Sequence, residues 1–226
     1  MAHRALKARA LVATTVLSAC GQPALAPQNV VVPSPSAVPA SALDYPTDAW
    51  GSFHSKRFQL TIPLPDGRAW KIDDHRAPEL VAVHAPTDSR LTIAVSREDE
   101  LMNRQRCEQR ARLRGWVPTT PLSTVEDEVR TGPEAYDSRV WVAIGTSPPR
   151  GPADAPPIEG HVFLFGAFLR TCLTVHLTTR APPDAEAVLA SRLAIASSRI
   201  VKAIALDPLR TTDEATVPRD KADIRR

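Results

Sequence analysis

The chain has 226 residues, 28 of them lysine or arginine and 25 aspartate or glutamate, which gives a formal net charge of +3. Arg4, Lys7 and Arg9 account for that whole excess, because residues 1–19 contain no acid and residues 20–226 carry 25 charges of each sign. This balance argues against a nucleic-acid surface, which normally needs a clustered positive excess. The nine glycines stand singly and leave no phosphate-binding loop.

The amino terminus has the layout of an export signal. Three cations precede an apolar run over residues 10–16, and the run ends in Leu17-Ser18-Ala19-Cys20. A membrane-spanning helix needs about 20 consecutive apolar residues, and this run is far shorter. The pattern therefore predicts a signal peptide over residues 1–19 that is cleaved. The alternatives are a secreted protein in which Cys20 has no special role, or a buried amino-terminal helix.

The tetrapeptide Leu17-Ser18-Ala19-Cys20 resembles the lipobox of bacterial lipoproteins. The resemblance implies that Cys20 receives a thioether-linked diacylglycerol and becomes the acylated first residue after cleavage. Several acyl chains hold a protein durably on a bilayer, because each buried methylene contributes about 0.8 kcal/mol. Gly21 is not the aspartate that resembles a retention signal, so the resemblance implies an outer-membrane destination in a diderm organism. In a monoderm organism the anchor would lie in the outer leaflet of the cytoplasmic membrane.

The rest of the chain divides into three parts by composition. Residues 20–48 are rich in proline, alanine and serine, and polyproline geometry extends about 3.1 Å per residue, so this segment is predicted to be a tether. Residues 49–206 have the length and apolar content of one globular domain. Residues 207–226 mix charges with proline and show no apolar periodicity, which predicts disorder.

Two hairpins are predicted in the first half of the domain. Residues 58–64 alternate apolar and polar positions like a strand, and Pro63 cannot donate to a ladder, which places this strand at an edge or ends it there. Residues 69–72 are predicted as the returning strand, after a turn at Pro65-Asp66-Gly67. The apolar stretches 80–85 and 91–95 flank turn residues and form the second predicted hairpin.

The second half begins with a predicted helix over residues 98–115, because acids stand at its front and bases at its back before Gly115. Residues 138–144 are predicted as a strand, and the proline-rich residues 147–157 as a surface loop. Residues 161–165 and 168–179 are predicted as two strands joined by a Gly166-Ala167 turn. That turn would place Phe165 opposite Phe168.

The last element is the clearest helix, with Asp184 as its predicted N-cap. One face carries apolar residues at helical spacing: Leu189, Leu193, Ala196, Ile200 and Ile204. The predicted opposite side holds Arg192, Arg199 and Lys202. The order of elements predicts an α+β fold in which two helices pack on an antiparallel sheet.

This order of elements, together with the stretch Ile62-Pro63-Leu64-Pro65-Asp66-Gly67, resembles the PsbP-like α/β/α sandwich of some bacterial lipoproteins. The resemblance implies a non-catalytic binding or assembly role. It implies no specific functional residue in this chain.

With Cys20 acylated, Cys107 and Cys172 remain as an even pair. In an exported protein such a pair can form a disulfide, and closing the 65-residue loop would contribute about 4 kcal/mol in the chain-entropy model. Two reduced, buried thiols are the alternative, because no spacing rule determines this pairing.

Two groups of polar residues have the residue types of a metal site and of a nucleophilic dyad. Asp73, Asp74 and His75, with His84 across the hairpin, are metal-ligand types, but adjacent strand residues point to opposite faces, so a solvated strand end is favoured and no metal or cofactor is expected. His161 and Cys172 would face each other on the predicted hairpin as a nucleophilic dyad. A disulfide would remove that nucleophile, and the sequence supplies no third orienting group.

The sequence contains no G-x-S-x-G, H-E-x-x-H or S-x-x-K motif. We therefore expect a lipid-anchored, non-catalytic binding or assembly module of the cell envelope. Its expected partners are the membrane, through the anchor, and an envelope protein or a small apolar ligand, with no nucleic acid. The alternative is an envelope enzyme of the hydrolase type whose catalytic residues are dispersed along the chain.

Overall fold

Ten strands and two helices make up the part of the chain that the computed structural model describes, residues 44–75, 78–148 and 155–207. The predicted signal peptide, Cys20, most of the tether and the tail beyond Asp207 lie outside these residues. The strands are β1 (Trp50–Ser55), β2 (Leu60–Pro65), β3 (Trp70–Asp73), β4 (Leu80–His84), β5 (Ser89–Arg97), β6 (Ser123–Val129), β7 (Asp137–Thr146), β8 (Ile158–Phe168), β9 (Thr171–Ala181) and β10 (Ala205–Leu206). The helices are α1 (Arg104–Leu113) and α2 (Glu186–Ile195), and a π-helical segment, Ala196–Val201, continues α2.

All strand pairs are antiparallel. Seven strands form the main sheet in the order β3-β4-β5-β9-β8-β7-β6, and β1-β2-β10 form a second, smaller sheet. The fold is therefore α+β, with two helices packed on antiparallel sheet, as predicted. The second sheet was not foreseen. Neither described helix is long and apolar enough to cross a membrane.

The two helices cover opposite faces of the main sheet, because β8 is buried on both sides. Val162 and Leu164 point to the face that α2 and the small sheet cover, in one core cluster with Leu189. The alternate residues of β8, Phe163 and Phe165, point to the other face, in a second cluster. That second cluster includes residues of α1. The main sheet is thus the middle layer of an α/β/α arrangement.

One predicted hairpin is confirmed and one is wrong. The hairpin β4–β5 forms as expected, with Leu80 opposite Ile93. By contrast, β2 does not pair with β3: it pairs with β1 and β10, whereas β3 pairs with β4 in the main sheet. β2, the strand that contains Pro63, lies in the middle of the small sheet, so its predicted position at a sheet edge is also wrong. Pro63 is tolerated because β10 pairs only with Leu60 and Thr61, which leaves Pro63 with β1 as its one paired neighbour.

The turn between β8 and β9 lies three residues later than predicted. β8 continues through Gly166 to Phe168, the turn falls at Leu169-Arg170, and Phe165 faces Thr174 rather than Phe168. Leu169 supplies the left-handed backbone of the turn, with φ of +51°. Gly166 instead allows a close approach, since a Cβ at this position would lie 3.1 Å from Cδ1 of Tyr136.

Both helices begin later than their charge patterns predict. α1 starts after Asn103, whose side chain accepts a hydrogen bond from the Arg106 amide, so the acids from Glu98 onward precede the helix rather than occupy its first turn. Asp184 is not the N-cap of α2; Ala185 holds that position without a side-chain cap. The apolar face predicted for this last helix is confirmed, because each of its five members is buried.

Arg192 on α2 differs most from its prediction. It was predicted to lie away from the core, but it is only 2% exposed. Its guanidinium donates to the backbone oxygens of Thr87, at 2.9 Å, and Arg180, at 2.7 Å. It also reaches the hydroxyl of Thr179 at 3.3 Å. The helix is therefore fastened to the β4–β5 turn and to the end of β9 through one buried cation.

Replacing this cation should destabilise the fold strongly. In Arg192→Met the carbonyls of Thr87 and Arg180 stay buried without their donor, and we expect the free energy of unfolding to fall by about 3 kcal/mol. Urea unfolding measures the change. Arg112→Met is the matched control: this arginine is exposed and pairs with Glu108 on α1. Such a pair contributes less than about 1 kcal/mol, so equal losses in the two variants would contradict the assignment.

Candidate functional site

The tether enters the domain at one end of the main sheet. Tyr45, a tether residue in the sequence-based division, is 3% exposed, and its hydroxyl donates to Ser89 Oγ at 2.8 Å. Ser191 Oγ donates to the carboxylate of the preceding Asp44 at 2.7 Å. Ser89 begins β5, and we call this end of the sheet, where the chain enters, the proximal end.

The opposite end of the sheet is reached at the β8–β9 turn. Along β5 the partners change from Thr179, opposite Ser89, to Thr171, opposite Arg97. Eight steps of about 3.4 Å separate these positions, so the two ends lie about 27 Å apart. We call the end that carries the β8–β9 turn the distal end.

A half-open groove of about 430 Å³ lies at the distal end. The groove is lined by Gln59, Glu134, Ala135, Tyr136, Phe168, Leu206 and Asp207. Its apolar wall is built from stacked rings, with the centroids of Tyr136 and Phe168 5.7 Å apart. The size falls in the range of ligand-binding clefts, and apolar walls with a few polar groups are their usual composition.

The backbone around the groove is held in an unusual conformation. Gln59 and Ala135, both in its lining, have left-handed φ values of +54° and +69°. Arg130 and Leu169, in neighbouring distal turns, also have positive φ, so four of the six such non-glycine residues in the described ranges lie at this end. Non-glycine residues in this region cost about 1 kcal/mol or more each, and such strain concentrates at ligand clamps and active sites.

The polar groups of the groove lie at its rim. Burial raises the pKa of Tyr136, so its phenol stays neutral at physiological pH. Glu134 is exposed, and the carboxylate of Asp207 lies 2.9 Å from Nε2 of His54. The backbone amide of Asp207 donates to the Gln59 carbonyl at 2.8 Å, which joins the end of β10 to the turn before β2. The arrangement is an apolar cleft with an acidic rim.

A second groove, of about 580 Å³, lies at the proximal end between Trp50, Phe53 and Asp66. The guanidinium of Arg199 stacks over the Trp50 ring at 4.2 Å. We call residues 44–48, the described end of the predicted tether, the tether root. The second groove adjoins Ala49, the residue that follows the tether root. A partner held there would contact the domain on the side from which the tether leaves.

The structure joins Cys107 to Cys172 through a disulfide, with the Sγ atoms 2.00 Å apart. The bond links α1 to the start of β9, next to the β8–β9 turn. Cys172 lies there opposite Ala167, near the end of β8. Of the two interpretations of this pair, the structure has the bonded one. Cys20, the predicted lipidation site, lies outside the described residues.

The candidate dyad and the candidate metal ligands of the sequence analysis do not come together in the fold. His161 lies opposite Thr178 rather than beside Cys172, because the hairpin register differs from the predicted one. Asp74 accepts a hydrogen bond from Ser55 Oγ at 2.8 Å, and His84 lies opposite Trp70, at the other end of β3 from the aspartates. No group of three or more potential metal ligands occurs within the described ranges.

His161 instead pairs with His176, a contact that the sequence analysis missed. Nδ1 of His161 lies 3.2 Å from Nε2 of His176, and the His176 ring stacks on Phe163 with centroids 4.3 Å apart. Burial lowers the pKa of His176 to about 3, and the nearby charges of His161 and Arg90 act in the same direction. Burial likewise lowers the pKa of His161. Both rings are therefore neutral in the folded state at neutral pH.

The histidine pair predicts a loss of stability in mild acid. The unfolded chain binds a proton at His176 below about pH 6.5 and the folded chain only near pH 3, so the folded state loses stability as the pH falls through 6.5. Between about pH 7.5 and 4.5, His176 should account for about 2–3 kcal/mol.

His176→Phe should remove that part of the pH dependence, as measured by urea unfolding at the two pH values. His75→Phe changes an exposed histidine and should leave the wild-type dependence in place. An unchanged pH dependence in His176→Phe would contradict the buried, neutral state of this residue.

No protein-family model and no curated protein matches the chain. The structure is similar to the Ran-binding protein Mog1p of Saccharomyces cerevisiae, with a TM-score of 0.44 and 10% identity over 64% of this chain and 84% of that one. A mutant of Mog1 gives a TM-score of 0.43 and 11% identity over the same shares. A protein of Bacteroides thetaiotaomicron gives 0.38 and 9% over 63% of this chain and 46% of that chain. Similarities of this size assign no function.

Proposed function

We propose that this chain is a lipid-anchored, non-catalytic binding module of the cell envelope whose distal groove holds an apolar side chain of an envelope protein. The observation that carries the proposal is the position of the groove. It lies at the end of the sheet opposite Tyr45, about 27 Å from the point where the tether enters. A partner can therefore occupy the groove without meeting the chain that leads to the anchor.

The anchor is supported by the lipobox-like sequence before Cys20. Cys20 and Asp44 are 24 residues apart, and a chain of that length spans at most about 80 Å. The tether is thus long enough to hold the domain at a range of distances from the bilayer. A partner in the same membrane, or one projecting from it, lies within reach.

The walls and rim of the groove select the kind of occupant. Tyr136, Phe168 and Leu206 offer an apolar surface, whereas Glu134 and Asp207 place negative charge at the rim. Charge complementarity favours an apolar side chain that has a basic residue beside it. The same rim disfavours a free fatty acid, whose carboxylate would meet two carboxylates.

The anchor can be tested by metabolic labelling with a fatty-acid analogue. We expect label on the wild-type protein and none on Cys20→Ala, because the thioether bond forms at that sulfur. Ser36→Ala, in the predicted tether, is the control, because it leaves every cysteine in place. Equal labelling of wild type and Cys20→Ala would refute the anchor.

The groove can be tested by photo-crosslinking in intact cells. A photoreactive amino acid at Glu134, on the rim, should give one main adduct with an envelope protein, and the same amino acid at Lys71, exposed on β3, should not give that adduct. Glu134 is an exposed side chain, so its replacement leaves the core in place.

Two further variants separate binding from folding. Truncation of an aromatic anchor in an interface costs about 2 kcal/mol or more, so Phe168→Ala should lower affinity about thirtyfold. Asp207→Lys reverses charge at the rim without touching the stacked rings, and it should also weaken the adduct formed from Glu134. Near-ultraviolet circular dichroism verifies the fold of each variant. An adduct that survives both changes would show that the groove is not the binding site.

A further inference from the structure

Two exposed leucines lie on neighbouring segments at the distal end. Leu101, between β5 and α1, is 66% exposed, and Leu169, in the β8–β9 turn, is 64% exposed. The Met102 amide donates to the Leu169 carbonyl at 2.7 Å, and the Glu98 amide donates to the Arg170 carbonyl at 2.7 Å. These backbone bonds hold the two segments side by side. We call Leu101 and Leu169 the leucine tip.

The leucine tip is held outward by the structure around it. The Cys107–Cys172 disulfide joins α1 to β9 within a few residues of both leucines. Asn103 caps α1 directly after the first segment, and Leu169 has a left-handed backbone with φ of +51°. Large apolar side chains that are rigidly presented to solvent at adjacent positions mark interaction surfaces more often than isolated ones do.

Charged residues of both signs surround the leucine tip, and arginines are in excess. Arg97 and Arg170 are exposed and directly adjoin its two segments. Glu98 is paired with Arg110 at 3.1 Å, and Glu100 with Arg106 at 2.9 Å, so these two acids are neutralised locally. The two segments and their ion-pair partners carry five arginines and three carboxylates, a net charge of +2: Arg97, Arg106, Arg110, Arg114 and Arg170 with Glu98, Asp99 and Glu100. The carboxylates of Glu134 and Asp207 belong to the separate rim of the distal groove.

We infer that the leucine tip binds the surface of an anionic lipid bilayer. Its two leucines enter the boundary between headgroups and acyl chains, and Arg97 and Arg170 contact lipid phosphates. Apolar side chains flanked by cations are the combination that binds such interfaces, and each component adds to the affinity. The inference rests on the proposed anchor, because the anchor keeps a bilayer within the reach of the domain.

The length of the tether permits this contact with the membrane that carries the anchor. The tip lies about 27 Å beyond the tether root, and the 24 residues after Cys20 span up to about 80 Å, so the domain can turn its distal end toward the bilayer. The groove lies at the same end of the sheet. Contact through the tip brings the groove close to the membrane surface, where segments of membrane proteins emerge.

The test uses the full chain with a tryptophan at the tip. Leu169→Trp protein is isolated from the envelope and reconstituted into vesicles of phosphatidylcholine and phosphatidylglycerol in equal parts, with and without bromine on the acyl chains. Val125→Trp is the matched control, because Val125 is 60% exposed but lies on β6, toward the proximal end of the main sheet. Bromine quenches only tryptophans that reach the acyl region, so the readout is independent of the anchor.

We expect about twofold quenching of the added emission in Leu169→Trp and none in Val125→Trp. Replacing Arg97 and Arg170 with glutamine, or using phosphatidylcholine alone, should lower the quenching at position 169. Metabolic labelling at Cys20 reports the anchor separately. Labelling without quenching would overturn the leucine tip and leave the anchor standing; quenching without labelling would do the reverse. A crosslink from position 169 to an envelope protein, without quenching, would assign the tip to protein contact and also overturn the inference.

Discussion

Burial of the β8–β9 hairpin on both faces is the constraint on which the rest of this structure depends. Residues 160–167 of β8 are buried without interruption, so neither face of the strand can be left to water. α2 and the small sheet cover one face, and α1 covers the other. The opposite placement of the helices, and with it the layered architecture, follows from the need to remove both apolar surfaces from solvent.

The same arrangement gives the domain two different ends. At the proximal end, Tyr45, Ser89, Thr179 and Arg192 join the tether root, the sheet and α2 through buried hydrogen bonds. The distal end carries strained turns, a cleft with aromatic walls and the exposed leucines. Firm packing where the chain enters, with unusual backbone and exposed apolar surface at the far end, is the physical basis for the proposal that binding occurs away from the tether.

Several local interpretations failed because each residue had more than one physically reasonable role. Gly166 was assigned to a turn, since glycine permits positive φ, but in the fold it makes room for the Tyr136 ring. Arg192 was placed away from the core, since arginine is rarely buried, but three acceptors in the β4–β5 turn and in β9 accept hydrogen bonds from its guanidinium. β6 escaped detection because its residues are mostly polar or charged, and it is paired on only one side, by β7.

The amino-acid sequence was sufficient for the α+β class, for the β4–β5 hairpin and for the buried face of α2, because these depend on contacts and periodicities within short stretches of chain. The histidine pair, the buried arginine and the distal groove were not accessible in this way. The groove draws its lining from four separate segments, around Gln59, Tyr136, Phe168 and Leu206. Such residues become neighbours only through strand order and register, and a single shift of register, as at the β8–β9 turn, changes every contact that follows.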